Sequence, residues 1–369
     1  MILVSGGNGN IGKALCMELC RRGFEVLSIG RRASDQQSYP HVSCDITGMD
    51  DLDKLFVKHH IDRIVHLAGL TNTAALNDPE LAVEINVNGS LNLMKKAVEY
   101  DIPFIYGSSV NAIGLPQIDV PVKEDDVCVP QEFYGWTKRF VEETGIALSR
   151  AEGLRFTALR IPTVLGEGQG SVNTPWRETC FTRIGKGGEL NISYHSDVRI
   201  PVVHIDDLIE MICAVLLTDQ ERKPIYNLPC EEINIGRFAK TLLEIDPSLK
   251  VKTGERKPKG MCSRIDSSLF RKDYPIQIQT VKESIEPYQR QKEEHRRKDN
   301  AQCDGAEAKG HQRQTPVHFS KIHMSRSGDK AEDHRQKAAV FSHRLFIELP
   351  EFVFIECVIL LFHVPHLLH

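Results

Sequence analysis

The chain has 369 residues, room for one large or two modest domains, and 46 basic against 50 acidic side chains leave a net charge of −4. Apolar residues make up 41% and charged residues 26%, the composition of a globular chain with a core. Nothing in this balance points to nucleic acid or a membrane surface as a partner.

Ile2-Leu3-Val4 is an apolar run that stops at Ser5-Gly6-Gly7-Asn8-Gly9-Asn10-Ile11-Gly12. Ile11, Leu15 and Leu19 then recur every four residues and Gly23 closes the segment, so the order is strand, tight turn, helix. Glycines at 6, 9 and 12 let backbone come close to a bulky anion. The free N–H groups and positive dipole end of the following helix suit a pyrophosphate. The spacing is a variant of the dinucleotide fingerprint, and its place between strand and helix gives it weight that Gly-rich turns alone lack. Met1 leads straight into the strand, which leaves no room for a signal peptide. The ten cysteines form no paired C-x-x-C motif, and Cys16 and Cys20 read as core packing. A cytoplasmic chain with reduced thiols is the expectation.

Strand-like and helix-like segments then alternate. Strands are expected at Phe24–Ile29, His41–Asp45, Arg63–Leu67, Phe104–Tyr106 and Phe156–Ile161. Helices are expected at Asp50–His59, Pro79–Tyr100 and Phe133–Glu152. This alternation predicts an α/β fold with a doubly wound parallel sheet covered on both faces, a dinucleotide-binding domain over residues 1–165. Gly6, Gly9, Gly12, Arg31, Asp45, Ala68 and Ser109 all fall at strand ends, where such sheets bind ligands.

From residue 166 the pattern changes to a smaller mixed lobe over 166–286, with some segments returning to the sheet. Helices are expected at Thr174–Ile184, Asp206–Leu217 and Asn234–Glu244, and Thr280 to Glu283 reads as a capping box. The basic stretch Lys250–Lys259 reads as a solvated loop. Residues 287–369 lack periodicity and hold nine of the 15 histidines without ligand spacing, so a disordered or aberrant tail is expected, with no metal. Its apolar run Phe352–Phe362 is too short to span a membrane, which needs about 20 residues.

The chemistry centres on Tyr134-Gly135-Trp136-Thr137-Lys138, which sets a phenol and an ammonium four apart on one helix face. A tyrosine with a pKa of about 10 is a poor base at neutral pH, and a cation nearby in a dry site favours its phenolate. Ser109, at the end of the fifth strand, is suited to hydrogen-bond the oxygen whose proton the tyrosine moves.

With these residues in place the chain resembles an extended short-chain dehydrogenase/reductase of the NAD-dependent epimerase/dehydratase family, over roughly residues 1–286. The resemblance rests on Gly6 to Gly12, Asp45-Ile46, His66-Leu67-Ala68-Gly69, Asn86 to Ser90, Ser108-Ser109, Tyr134 to Lys138, Leu159-Arg160 and His204 to Asp207. It implies that Tyr134 is the general acid/base, that Lys138 grips the nicotinamide ribose and lowers the phenol's pKa, and that Ser109 orients the substrate oxygen. It further implies cofactor contacts from Gly6, Gly9, Asn10, Ile11, Gly12, Asp45, Ile46, Leu67, Ala68, Gly69 and Asn86. The second strand ends in Gly30-Arg31-Arg32 where NAD-preferring members place an acidic residue, so Arg31 and Arg32 favour NADP over NAD.

The resemblance implies a nucleotide-sugar epimerase or keto-reductase. Thr163 stands where such epimerases carry Asn, and Arg199 lies five residues before His204 rather than four. Val110-Asn111 after Ser109 disfavours a dehydratase. Trp176-Arg177, Arg183 and Lys186 are further candidates for an anionic group. The alternatives are a dehydrogenase or reductase of a small polyol, sugar acid or amino alcohol, and a non-catalytic cofactor sensor. The resemblance also raises a homodimer paired through the helices at 79–100 and 133–152.

Overall fold

The computed structural model describes residues 1–32, 38–114, 120–171, 174–258 and 262–290; the tail expected beyond residue 287 lies almost wholly outside them. The described residues all belong to one unit, Met1–His311; a second unit, Gln312–His369, falls outside them.

In chain order the first half runs β1 (Ile2–Ser5), α1 (Asn10–Arg21), β2 (Val26–Gly30), β3 (His41–Ser43), α2 (Met49–Lys58), β4 (Arg63–His66), α3 (Asn72–Asn77), α4 (Pro79–Val83), α5 (Gly89–Glu99), β5 (Phe104–Ser109), α6 (Phe133–Glu152) and β6 (Phe156–Ile161). The second half runs β7 (Thr163–Leu165), α7 (Trp176–Thr182), β8 (Gly188–Tyr194), β9 (Arg199–His204), α8 (Ile205–Leu217), β10 (Ile225–Asn227), β11 (Glu231–Asn234), α9 (Ile235–Ile245), β12 (Leu249–Arg256) and α10 (Ser268–Asp273), before a last helix over 281–290.

Seven strands form a parallel sheet in the order β10-β6-β5-β4-β1-β2-β3. Strands β1, β2, β4, β5 and β6 have their apolar side chains sunk on both faces, as the near-continuous apolar runs require, while Val42 of the edge strand β3 is only partly buried. One face packs against α1 and α8, through Leu15, Leu19, Leu208 and Ile212; the other packs against the second group of helices, through Leu52, Leu93, Met94 and Val141. Strand order reverses between β1 and β4, whose carboxyl ends Ser5 and His66 are paired in register. A crevice opens outside the strand ends at such a reversal. Strand β10 joins the sheet beside β6, so the chain re-enters it after residue 220.

The remaining strands form a three-stranded sheet, β11-β9-β7, and a parallel pair, β12-β8. They enclose their own core around Trp176, Phe181, Ile192, Ile200, Phe238 and Leu242. The stretch expected as a loop at 250–259 is in large part β12, paired with β8 from Leu249 opposite Gly188. Its lysines hid the alternation: Leu249 is buried and Val251 half-buried, while Lys250 and Lys252 face water.

The long helix expected over Pro79–Tyr100 is interrupted. Between α4 and α5, Glu84–Asn88 forms a wider π turn, which sets Asn86 inward. Its amide receives the Leu70 N–H at 2.7 Å and donates to the Leu70 carbonyl at 2.9 Å and to Thr137 Oγ1 at 3.1 Å. The capping box at the last helix is present: Thr280 N donates to Glu283 and Glu283 N to Thr280 Oγ1.

Candidate active site

The cleft outside the β1–β4 reversal has a volume of about 500 Å³. The turn after β1 forms one wall. Gly6 has φ +74, a left-handed backbone that suits glycine, and a Cβ there would meet Ala68 N at 2.7 Å. A Cβ on Gly12 would lie 2.2 Å from the Gly6 carbonyl oxygen. Gly9 precedes α1 without capping any of its amides by a side chain. The start of α1 therefore meets the cleft with its N–H groups and positive dipole end, and Asn10 and Ile11 line the wall with Gly6, Gly9 and Gly12. A cradle this tight for side chains and open to an anion fits the pyrophosphate of a dinucleotide.

Strands β4 and β5 supply the floor: Leu67 and Gly69 follow β4, and Gly107, Ser108 and Ser109 end β5. Helix α6 brings Tyr134 and Lys138 to the same cleft. Its close approach depends on Gly135, where a Cβ would fall 2.3 Å from the Asn111 carbonyl oxygen. Lys138 Nζ donates to the Gly107 carbonyl at 2.8 Å and lies 5.7 Å from the Tyr134 ring centroid. Ser109 Oγ accepts the Asn111 N–H at 3.2 Å, which leaves its own proton free to point at the Tyr134 oxygen.

Burial dominates the electrostatics. It pushes the Tyr134 phenol up to about 12, with the Ser109 hydroxyl pulling the other way. It pulls the Lys138 ammonium down to about 7, against the field of Glu142. In the free site burial therefore outweighs the lowering of the phenol that the resemblance implies for Lys138, and the Ser109 hydroxyl favours the phenolate. At neutral pH the phenol holds its proton.

The other expected cofactor contacts stand outside the cleft lining. Arg31 and Arg32 are exposed at the end of β2, the Arg32 carbonyl held by Asn8 at 3.1 Å and His41 at 2.9 Å. Asp45 turns its carboxylate back onto Thr47, accepting from N at 3.0 Å and Oγ1 at 2.9 Å. Ile46 is buried against α5, where a Cβ on Gly89 would meet it at 2.7 Å. Ala68 packs in the core next to Gly6, and Asn86 holds the loop at Leu70.

The far wall comes from the second half of the chain: Thr163, Gln169, Ser171, Thr174, Arg177, Tyr194 and Arg256. Arg177 Nε is buried with no hydrogen-bond partner, and the Arg256 guanidinium stacks 5.5 Å over the Tyr194 ring. Of the sequence candidates for an anion, Arg177 lines the cleft, while Trp176 is fully buried in the lobe's core. Arg183 and Lys186 are exposed outside the lining. Arg199 is also outside it, paired with Glu232 at 2.9 Å. Sequence reasoning missed Asn72 and Arg256. Asn72 has φ +32 and accepts from Asn111 Nδ2 at 3.1 Å. The one signal for it was position, shortly after a strand's carboxyl end at the start of α3.

A sequence model of the NAD dependent epimerase/dehydratase family matches residues 2–230. The mitochondrial L-threonine 3-dehydrogenase of Bos taurus is 25% identical over 261 residues, 68% of this chain and 69% of that one. A UDP-glucose 4-epimerase of Halalkalibacterium halodurans is 31% identical over 167 residues, 43% of this chain and 49% of that protein. Among solved structures, L-threonine dehydrogenase from Clostridium difficile superposes with a TM-score of 0.72 at 19% identity, over 79% of this chain and 98% of that one. The UDP-glucose 4-epimerase of Thermotoga maritima, with UDP-glucose, gives 0.67 at 22% identity, over 79% and 98%. At such identities the structural likeness speaks for the fold.

Proposed function

Since the chain belongs to the NAD dependent epimerase/dehydratase family and is an enzyme that works with a nicotinamide cofactor, we propose that Tyr134, Ser109 and Lys138 carry its chemistry at a substrate carbon bearing a hydroxyl or keto oxygen. The observation that supports this most is that all three side chains share one cleft with the glycine cradle. Gly6, Gly9, Asn10, Ile11 and Gly12 would hold the pyrophosphate, and Leu67, Gly69 and Lys138 the nicotinamide end. Bound there, the nicotinamide supplies or accepts hydride. Tyr134 Oη gives its proton to a keto oxygen, or takes one from a hydroxyl. Ser109 donates to the phenolate or the substrate oxygen, and Lys138 supplies positive charge beneath them. With the phenol protonated at neutral pH, keto reduction is the direction for which the free site is prepared.

NADP is the proposed cofactor. Arg31 and Arg32 are exposed at the end of β2, and neither forms an ion pair among the described residues. A 2′-phosphate suits such guanidinium groups.

A nucleotide-linked sugar is the leading substrate class, because Arg177 and Arg256 set two cations on the wall that would face a diphosphate. The second reading is a small sugar acid, polyol or amino alcohol. It is favoured by Arg199, the arginine considered for a diphosphate, being held by Glu232 outside the cleft. Parallel assays of UDP-glucose 4-epimerisation and cofactor-linked L-threonine oxidation separate the two. Epimerisation supports the first; oxidation without epimerisation moves the assignment to the second.

The protein is further proposed to pair with a second copy through α6. Trp136 and Phe140 lie one turn apart there, 45% and 43% exposed, beside Leu76 and Val83 of α3 and α4. A cytoplasmic location is proposed from the eight described cysteines, all unpaired thiols. No helix among the described residues is long and apolar enough to cross a membrane.

A further inference from the structure

Beneath the site lies an ion pair for which the chemistry so far has no use. Glu142 and Arg160 are both fully buried and meet at 3.0 Å. Glu142 is one turn beyond Lys138 on α6, so the two side chains share a face. Its carboxylate accepts Ser108 Oγ at 2.5 Å, Arg160 Nε at 3.1 Å and Arg139 at 3.1 Å. Arg160, on β6, is steadied in turn by Asn227 Oδ1 of β10 at 3.4 Å. The carboxylate and the ammonium thus anchor to consecutive residues of β5, Ser108 and Gly107.

The other titratable groups facing Lys138 bring it no negative charge at neutral pH. Tyr134 on its own helix stays protonated. Tyr106 of β5, its ring centroid 4.5 Å from Nζ, has its phenol raised well above the usual value by burial. His66 of β4 is held neutral by burial and by Lys138 itself. Among the described residues, Glu142 is the negative charge that acts on Lys138. A lysine sunk this deep loses its proton unless a counter-charge holds it.

We propose that Glu142 is a positioning residue that lets Lys138 carry its charge near neutral pH: fixed by Arg160 and Ser108, its carboxylate opposes the loss of the buried ammonium's proton beside Tyr134 and the cofactor. The inference rests on the reading of Tyr134 and Lys138 as the reacting pair. Arg160 makes the carboxylate a fixed element, because the pair leaves neither charge unmatched in the core.

The test is a titration of Lys138 by NMR on the full chain labelled with 13C-lysine, following the Cε signal that disappears in Lys138→Met. The expected result is a midpoint lowered by a pH unit or more in Glu142→Gln and restored in Glu142→Asp. The single Gln variant leaves Arg160 buried without its ion-pair partner, so Glu142→Gln with Arg160→Met is measured alongside; it removes both charges of the pair and should also lower the midpoint. An unchanged midpoint in either folded variant overturns the proposal and leaves Glu142 a packing residue. The reading it rests on fails separately, through turnover retained in Tyr134→Phe, which this titration does not measure.

Discussion

At the scale of single residues, Tyr134 was legible because its partner lies four positions away on one helix and Ser109 ends a strand; both are local facts. How its proton is held was not legible, because burial by distant elements sets it. The consequence is a pH signature. With the phenol at about 12 and the Lys138 ammonium at about 7, alcohol oxidation needs the minor phenolate beside a charged lysine, so its kcat/KM should climb with pH up to about 7, approaching about tenfold per unit, and level off above it. Keto reduction should not climb, since it uses the protonated form; equal profiles in both directions would rule Tyr134 out as the proton carrier. Tyr134→Phe should lower turnover by about a hundred- to ten-thousand-fold and leave cofactor affinity unchanged. His66 gives a second signature. Its Nδ1 meets Ser5 Oγ at 2.5 Å and its Nε2 meets Ser90 Oγ at 2.8 Å, and burial, with the Lys138 charge nearby, disfavours a charged ring. Burial pulls it to about 3, below its unfolded value of about 6.5. A folded pKa depressed in this way contributes stability that is present above pH 6.5 and is lost as pH falls toward 3. Urea midpoints should therefore fall over that window, and more steeply than in His66→Gln; parallel slopes would count against a neutral, buried imidazole.

At the scale of elements, most strands and helices followed from periodicity, because most sheet strands are apolar runs and the covering helices each have an apolar face. Helix α6 is bounded as the pattern predicts, Phe133 to Glu152, and closes on Gly153 in a left-handed turn. What escaped were features set by another part of the chain. The π turn that aims Asn86 at Leu70 carries no composition signal, and β12 is a strand because β8 lies beside it. Packing of α6 on the sheet makes its own prediction. A Cβ at Gly145 would lie 2.5 Å from the Phe156 ring, whose neighbours Phe104 and Tyr106 stack on it and leave it nowhere to go. Gly145→Ala should cost about 1–3 kcal/mol in urea unfolding despite alanine's better helix propensity. A stabilised variant would mean that α6 can lift from the sheet freely.

At the scale of the whole molecule, the doubly wound parallel sheet could be anticipated from alternation, since strands joined by helices wind a parallel sheet and leave a crevice where the strand order reverses. The cleft's far wall could not. Arg177 and Arg256 lie 79 positions apart in sequence and come from a helix and a strand end that nothing local connects. Every residue that lines the cleft lies between Gly6 and Arg256. A chain ending at Arg290 should therefore keep its fold, its cofactor affinity and its turnover; loss of any of these would show that a later residue reaches the site. The proposed chemistry depends on the cradle at Gly6, Gly9 and Gly12 holding a dinucleotide. The direct measurement is a fluorescence titration of the purified protein and of Gly12→Ala with NADPH and NADH. The expected result is saturable binding to the unsubstituted protein, tighter for NADPH, and none to Gly12→Ala, whose Cβ would collide with the Gly6 carbonyl. Absence of binding to the unsubstituted protein, or equal binding by the variant, would contradict it.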